Sequence, residues 1–496
     1  MGNTADVVIV GAGLTGLSTA YYLKQQGFEP IVFEKESAVG GVIQSQTIET
    51  PVGLIQVEWG PHTVQGSASA LLTLAHSLGL SPLAASPDAQ RRYLWHQNQL
   101  RLVPTNPFSA LTTPLLSPWG KIRLLLEAFQ RPLLQTDSAD PNVADWVTHR
   151  LGREVLDHLV APFLSGVYAG NPTQMSAAAT LKTLAAYERR YGSITAGVWN
   201  TIRSRHRANT TPQAVSQSSP SSLQRMGLYS FENGMQQLPT ALAFSLGKAI
   251  QTQSPIHQLQ RLPNGLYQLE TPHGTWQTPA VILTTPAPVC AQLLQANWAE
   301  HAGTMALSRI PYAPMTVVHT LVKQTAFDAH PSKAVLPTRG FGCLIPRQSG
   351  MTTLGHLWIH SLFPNRVPEQ YALLTSFVGG ATAPESAQWP LEKVEQRVLQ
   401  DLQTTYHNTH PIEPIGMYSQ TLRQAIPQYT VGDDGGHLKR IRALEALEAQ
   451  HPGLWLGGNF RSGVSLNDCV KEGLRLAQAA IPYLTTTRIR SSVSAV

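Results

Sequence analysis

The opening of this chain constrains its fold more than any other feature. Asp6-Val7-Val8-Ile9-Val10 reads as a buried parallel strand, Gly11-Ala12-Gly13-Leu14-Thr15-Gly16 follows at once, and helical apolar spacing continues through Leu17, Ala20, Tyr21 and Leu23. In such a strand–turn–helix unit Gly11 permits the tight turn, Gly13 lets the backbone approach a pyrophosphate, and Gly16 lets the helix pack close to the strand. The first N–H groups of the helix have no intrahelical partner and face the anion. A second apolar strand, Pro30-Ile31-Val32-Phe33, ends at Glu34, about 20 residues past the glycines, where a carboxylate accepts hydrogen bonds from ribose hydroxyls. That acid would repel a 2′-phosphate. The motif implies an α/β, Rossmann-like domain for an adenine dinucleotide, and by itself leaves NAD and FAD both open.

Composition narrows the remainder. The chain has 496 residues, 42% of them hydrophobic, which is enough for several cores and excludes chain-wide disorder. Only 13% are charged, about half the roughly 25% typical of soluble domains. Either neutral polar residues coat the surface, or the protein rests partly on a membrane or encloses a large apolar ligand. The excess of 36 Lys and Arg over 30 Asp and Glu is spread along the chain, so a nucleic-acid partner is not expected. Cys290, Cys343 and Cys469 are too scattered for a disulfide framework or a metal site, and a reducing setting is the default. No apolar run of about 18 residues could span a bilayer, and the N-terminus lacks the basic region of a signal peptide. Met1-Gly2 opens like a myristoylation site, but Asp6 stands where Ser or Thr is required. Any membrane contact is therefore expected to be peripheral.

Further along come Val39-Gly40-Gly41, a strand-like Leu54–Val57, and Glu58-Trp59-Gly60-Pro61-His62. Trp119, Ile122, Leu125, Leu126 and Phe129 have helical spacing, which suits either a core-facing helix or one lying on a membrane surface. Helical patterns run through Val143–Leu159, Ala177–Tyr191 and Leu391–Tyr406. The polar stretch Ser204–Ser222 reads as a mobile loop. Strands are expected at Tyr267–Thr271, Thr275–Thr278, Val281–Thr285, Thr316–Val322, Thr353–His360, Leu373–Val378 and Leu454–Leu456, with a last helix over Asn467–Leu484. A nucleotide domain drawn from distant stretches implies that the other units are insertions.

Several segments together resemble one family, the oxygen-dependent protoporphyrinogen oxidases, over nearly the whole chain. They are Ser165-Gly166-Val167-Tyr168-Ala169-Gly170-Asn171-Pro172, Gly340-Phe341-Gly342-Cys343-Leu344-Ile345-Pro346, Ser361-Leu362-Phe363-Pro364-Asn365-Arg366, Phe377-Val378-Gly379-Gly380, Ala425-Ile426-Pro427-Gln428-Tyr429, Leu456-Gly457-Gly458-Asn459 and Gly463-Val464-Ser465-Leu466. They look most like the plastid and cyanobacterial branch. The resemblance implies a discontinuous FAD domain (1–88, 220–298, 431–484), an inserted mixed-sheet substrate domain (89–104, 299–430) and an inserted helical membrane-associating domain (105–219).

It further implies non-covalent FAD. The ADP half would lie on Gly11, Ala12, Gly13, Leu14, Thr15, Gly16, Glu34 and Lys35, the middle near Gly40 and Gly41, and the ring near Trp59, Gly60, Pro61, His62, Gly458, Val464, Ser465 and Leu466. Ile256 falls where a backbone pair holds the adenine. The implied reaction, in haem and chlorophyll synthesis, removes six hydrogens from protoporphyrinogen IX in three hydride transfers to flavin, with O2 reduced to peroxide. The flavin carries that chemistry, so no side chain is expected to be catalytic and no metal is expected. Leu344, Leu357 and Phe377 match positions that sandwich the macrocycle, Arg92 matches a propionate-binding arginine, and Gly170 matches a glycine whose backbone approaches the substrate. The implied location is peripheral, on the cytoplasmic side of a bacterial plasma or thylakoid membrane or in a plastid, with a homodimer left open. Rival readings are coproporphyrinogen III oxidation, another flavin amine oxidase or desaturase, and a non-catalytic tetrapyrrole carrier. The chain departs from the family pattern at Val42, where relatives often carry a basic residue, and at Asp433-Asp434-Gly435-Gly436, which intervene before His437.

Overall fold

The computed structural model describes residues 3–104, 109, 112–134, 140–210, 227–327 and 338–493, without the side chains of 205–210 and 490–493. Its central element is a five-stranded parallel sheet in the order Ile250–Gln251, Pro30–Phe33, Val7–Val10, Val281–Leu283, Leu454–Leu456. Parallel strands buried on both faces need apolar residues, and all but the short edge strand Ile250–Gln251 have them at every position. Val7, Ile9, Val32 and Ile282 pack with Leu17, Leu23, Leu242, Leu476 and Ala480 on one face. Val8, Val10, Phe33, Val281, Leu283, Leu454 and Leu456 pack with Leu294, Leu444 and Leu447 on the other.

A second sheet is mixed and has seven strands, in the order Gly416–Pro427, Tyr312–Lys323, Tyr371–Gly379, Thr353–Trp358, Gly342–Leu344, Arg92–His96, Gln99–Leu102. Only the pairing of Gly342–Leu344 with Arg92–His96 is parallel. Helix Leu391–Tyr406 covers one face through Val394, Val398, Leu402 and Tyr406, against Val318, Leu374 and Trp358. The other face is the one that matters below.

Residues 112–134 and 140–210 form helices around Leu116, Trp146, Val147, Leu164, Ala185 and Ile194. Their core also holds charge: the Arg150 guanidinium donates to Glu127, whose carboxylate also accepts from Ser193 Oγ (2.8 Å), Ile194 N (2.9 Å) and Thr195 N (2.9 Å). Burial of that ion pair is tolerable because every carboxylate oxygen is hydrogen-bonded.

Several elements differ from expectation. Val143–Leu159 is not one helix: Val143–Arg150 ends before Gly152, whose φ of +97° is left-handed, and the chain restarts at Arg153. Ala177–Tyr191 breaks at Leu181 into Ala177–Thr180 and Lys182–Tyr191. The expected loop at 204–222 begins as the end of helix Ile194–Thr210, because polar composition marks an exposed face rather than coil; residues 211–222 lie outside the described residues. The last helix runs on to Val493, nine residues past expectation. Thr485, Thr486 and Thr487, which would discourage a helix, each return their hydroxyl to the carbonyl four residues back at 2.9–3.0 Å, and Arg488 anchors the extension on Asp6 at 2.7 Å. Pro118–Leu125 is helical; Leu124 packs on the helical core, whereas Trp119 is 78%, Leu125 61% and, in the following turn, Phe129 83% exposed.

Candidate active site

The turn after Val7–Val10 is built as its glycines suggest. Gly11 has a φ of +102°, and a Cβ on Gly16 would collide with the Gly11 carbonyl oxygen and lie 2.5 Å from Thr284 Oγ1. Around Gly13, by contrast, the Cβ direction is open space. Glu34 sits behind the turn and accepts from Ala12 N at 2.8 Å and Glu36 N at 3.0 Å, so each oxygen retains a lone pair for a further donor. Gly40 donates to the Ala12 carbonyl (2.9 Å) and forms a bridge with Gly13, while a Cβ on Gly41 would touch the Gly13 Cα. The first glycine motif and the glycine pair are thereby one surface. Ser254 N donates to the Glu34 carbonyl at 2.8 Å, which brings the segment carrying Ile256 alongside. Lys35 turns outward to Glu36 at 3.2 Å. Leu14 and Thr15 are buried in the first helical turn.

Gly458 and Val464-Ser465-Leu466 precede helix Leu466–Val493; Ser465 Oγ caps it by accepting from Asp468 N at 3.1 Å. That helix lies against the first one, since a Cβ on Gly473 would be 2.7 Å from Ser18 Cβ. Val42, where the family pattern led to a basic residue, is exposed, and its carbonyl rests on Gly60, where a Cβ would overlap it. At the second departure, Asp434 pairs with Arg440 at 2.8 Å and Gly435 (φ +89°) and Gly436 (φ +72°) turn into helix Gly436–Gln450, leaving His437 stacked on Tyr429 at 4.2 Å.

The opposite face of the seven-stranded sheet, packed in part against Ile55, Val57 and Trp59, collects the other residues. Cross-strand partners share a face. One transverse row is Arg92, Gly342, Leu357, Thr375 and His319; the next is Leu94, Leu344, Gly355, Phe377 and Val317. From Arg92 to Thr375 is three strand spacings, about 14 Å. Leu344, Leu357 and Phe377 line this lane. Arg92 stands at its end over the Phe341 ring (5.0 Å) and has no carboxylate partner among the described residues, whereas Arg91 pairs with Asp88 at 3.6 Å. Partial burial lowers the Arg92 pKa. Leu344 also abuts Gly166 of helix Ala161–Tyr168. Gly170 is buried, and its Cβ direction is filled by Met175.

The Gly60-Pro61-His62 turn meets the lane at His62. This ring lies edge-on to Phe377 at 5.9 Å and 6.1 Å from His319, and Trp59 is 4.8 Å from His319. Nothing local in the sequence singles out His319, which looks like one more residue of a buried strand. Behind Trp59 lies a pair that was also missed: Glu58 and Arg366, 1% and 0% exposed, 3.2 Å apart. A cleft of about 730 Å³ between helices Lys182–Tyr191 and Gly436–Gln450 contains none of these residues.

A family model described as flavin-containing amine oxidoreductase matches residues 14–481. The chain belongs to that family. Rice chloroplastic protoporphyrinogen oxidase is 31% identical over 97% of this chain and 89% of its own. Coproporphyrinogen III oxidase of Staphylococcus aureus is 26% identical over 97% and 100%. A crystal structure from Exiguobacterium sp. 255-15 superposes with a TM-score of 0.74 at 25% identity, covering 96% of this chain and 98% of that one. The cofactor of this amine oxidoreductase is FAD. The open Gly13 turn, the glycine pair bridged to it and the spare lone pairs of Glu34 suit its ADP half. The three cysteines are free and buried, and Cys343 and Cys469 have thiols pushed up to about 12 by burial, which suits packing.

Proposed function

We propose that this flavoenzyme oxidises protoporphyrinogen IX to protoporphyrin IX. The observation that carries the reading is the lane: Leu344, Leu357 and Phe377 on one sheet face, an unpaired Arg92 at one end and the His62 turn at the other. A flat apolar macrocycle with carboxylates at one edge has that complement of surfaces. Bound FAD supplies the hydride acceptor, regenerated by O2. The chain's own task is then placement: Arg92 pairs with a propionate, the leucines and Phe377 hold the ring plane, and apolar walls exclude water. Non-covalent FAD, Gly170 as a substrate neighbour, and the three-part division of the chain belong to the same reading.

The test is to purify the protein, offer protoporphyrinogen IX and coproporphyrinogen III separately in air, and follow porphyrin fluorescence and peroxide. Faster turnover of the tetracarboxylate would reverse the substrate assignment, and bound flavin without turnover of either would favour a carrier. Arg92→Ala is expected to raise the Michaelis constant for protoporphyrinogen about tenfold, the lower end for a charged hydrogen bond because the site is partly solvated, with the flavin spectrum unchanged.

Peripheral membrane attachment is part of the proposal. Trp119, Leu125 and Phe129 stand out from the helical unit, and Trp199 on an adjoining helix is 68% exposed. Among the described residues no helix is long and apolar enough to cross a membrane. Replacing Trp119 and Phe129 together by Asp should lower the fraction sedimenting with anionic vesicles at low salt by about tenfold or more, given roughly 1.5–3 kcal/mol for each large side chain buried. An unchanged fraction would remove this surface from the interface.

A further inference from the structure

Removing two hydrogens from a methylene-bridged macrocycle takes a hydride and a proton, and the lane described above gives only the hydride a destination. One interior nitrogen lacks a partner there among the described residues. His62 is 5% exposed, and its Nε2 is enclosed without a hydrogen bond. An unpaired buried polar group costs about 1–3 kcal/mol. With its ring facing Phe377 and 6.1 Å from that of His319 in the Arg92–Leu357–Thr375 row, it marks a place where a ligand supplies the missing contact.

On the basis of the proposed porphyrinogen reaction, we infer that His62 is the proton acceptor, with His319 as its positioning residue. His319 is fixed by a 2.9 Å hydrogen bond between its Nδ1 and Thr375 Oγ1 and packs against both Trp59 and His62. His62 is hydrogen-bonded to the Gly60 carbonyl, and because Nε2 is unpartnered that bond comes from Nδ1–H, which leaves the Nε2 lone pair free. In each round a methylene C–H bond breaks, and its electron pair leaves with the hydride to the flavin. The tetrapyrrole is left cationic. In two of the rounds a pyrrole N–H bond then breaks with its pair staying on nitrogen, and in the third a further bridge C–H bond breaks with its pair entering the conjugated ring; each time a new N–H bond forms at His62 Nε2, and the imidazolium returns the proton to water. Burial, and the proximity of His319 and Arg366, hold the His62 pKa well below its usual value, so the ring is neutral and ready to accept. A weak base suffices because the acid it faces is a cation.

The test separates the two halves of the reaction. Mixed anaerobically with protoporphyrinogen IX, His62→Ala should still bleach its flavin, whereas in air porphyrin fluorescence should appear about a hundredfold more slowly than with the wild type and recover on adding imidazole. Unchanged porphyrin formation, or slow formation without rescue by imidazole, would overturn the role. A wild-type flavin that protoporphyrinogen fails to bleach would overturn the substrate reading and this role with it. If His62→Ala loses its flavin, 15N-histidine spectra of the wild-type holoprotein decide: adding protoporphyrin IX should shift the His62 Nε2 signal, and an unmoved signal refutes the contact.

Discussion

Gly16→Val should purify, if at all, in low yield and without bound flavin. A side chain there meets the Gly11 carbonyl on one side and Thr284 Oγ1, at 2.5 Å from the Cβ position, on the other. Neither can retreat: Gly11 N is held by the Phe33 carbonyl at 2.8 Å, and Thr284 Oγ1 lies 3.0 Å from both the Val10 and Gly11 carbonyls. Overpacking between rigid backbone groups costs about 3 kcal/mol or more, and here it also separates the first helix from its strand. Gly13→Ala gives the contrast. Its Cβ meets no protein atom within 4 Å, so the melting temperature should stay near wild type while flavin affinity falls. The ratio of flavin to protein absorbance, read beside thermal unfolding, distinguishes the two; a flavin-replete Gly16→Val would refute the account of the turn.

Arg366→Met is expected to be the most damaging substitution outside that turn. Arg366 joins three segments at once: it faces Glu58 at 3.2 Å, donates to Ser230 Oγ at 2.5 Å and covers the Phe363 ring at 4.5 Å. Removing it leaves Glu58 buried, with only Ser45 Oγ (2.5 Å) and Met235 N (2.9 Å) as donors. Stranding one member of a buried pair costs about 3–5 kcal/mol, about 3–5 °C in melting temperature for a chain of this length. The pair also sets a pH dependence. Burial pushes the Glu58 pKa from 4.5 up to about 7, against the pull of Arg366 and those two donors. Between these values the folded state keeps a proton that the unfolded state has released, so this group's contribution to stability falls as pH rises from about 4.5 to about 7 and is level above. Glu58→Gln cannot titrate. The wild-type melting temperature should therefore decline relative to Glu58→Gln between pH 5 and pH 8, and a constant difference would count against the raised value.

Where local chemistry decided the outcome, the sequence could be read. Leu391–Tyr406 forms over the expected residues because its apolar positions recur with helical period against a sheet. The Gly11–Gly16 turn and Glu34 were recognisable because each glycine answers a separate steric demand within a few residues. What stayed hidden depends on pairing across the chain. Strands Gly342–Leu344 and Arg92–His96 are short, and only their alignment with Leu357 and Phe377 reveals a common face. Arg366 lay inside a family motif, yet nothing local points to Glu58, more than 300 residues earlier. The helix through Thr485–Thr487 escapes a reading by propensity, which counts β-branching, because Arg488 anchors it on Asp6 and on the Gly27 carbonyl.

The order of strands in the five-stranded sheet bears on how the protein is made. Val7–Val10 lies centrally between Pro30–Phe33 and Val281–Leu283, and the far edge is Leu454–Leu456. During vectorial synthesis the first strand leaves the ribosome with one neighbour available and waits for the others, which at about 5–20 residues per second takes tens of seconds. For that interval four apolar residues carry an unpaired edge, a template for association with other nascent chains. Pairing partners so far apart also make folding slow, because loop closure precedes the contacts that reward it. A nascent chain arrested before Leu454 would present Val281–Leu283 as an open edge, so yield in a cell should depend more on chaperone supply than the stability of the finished sheet suggests.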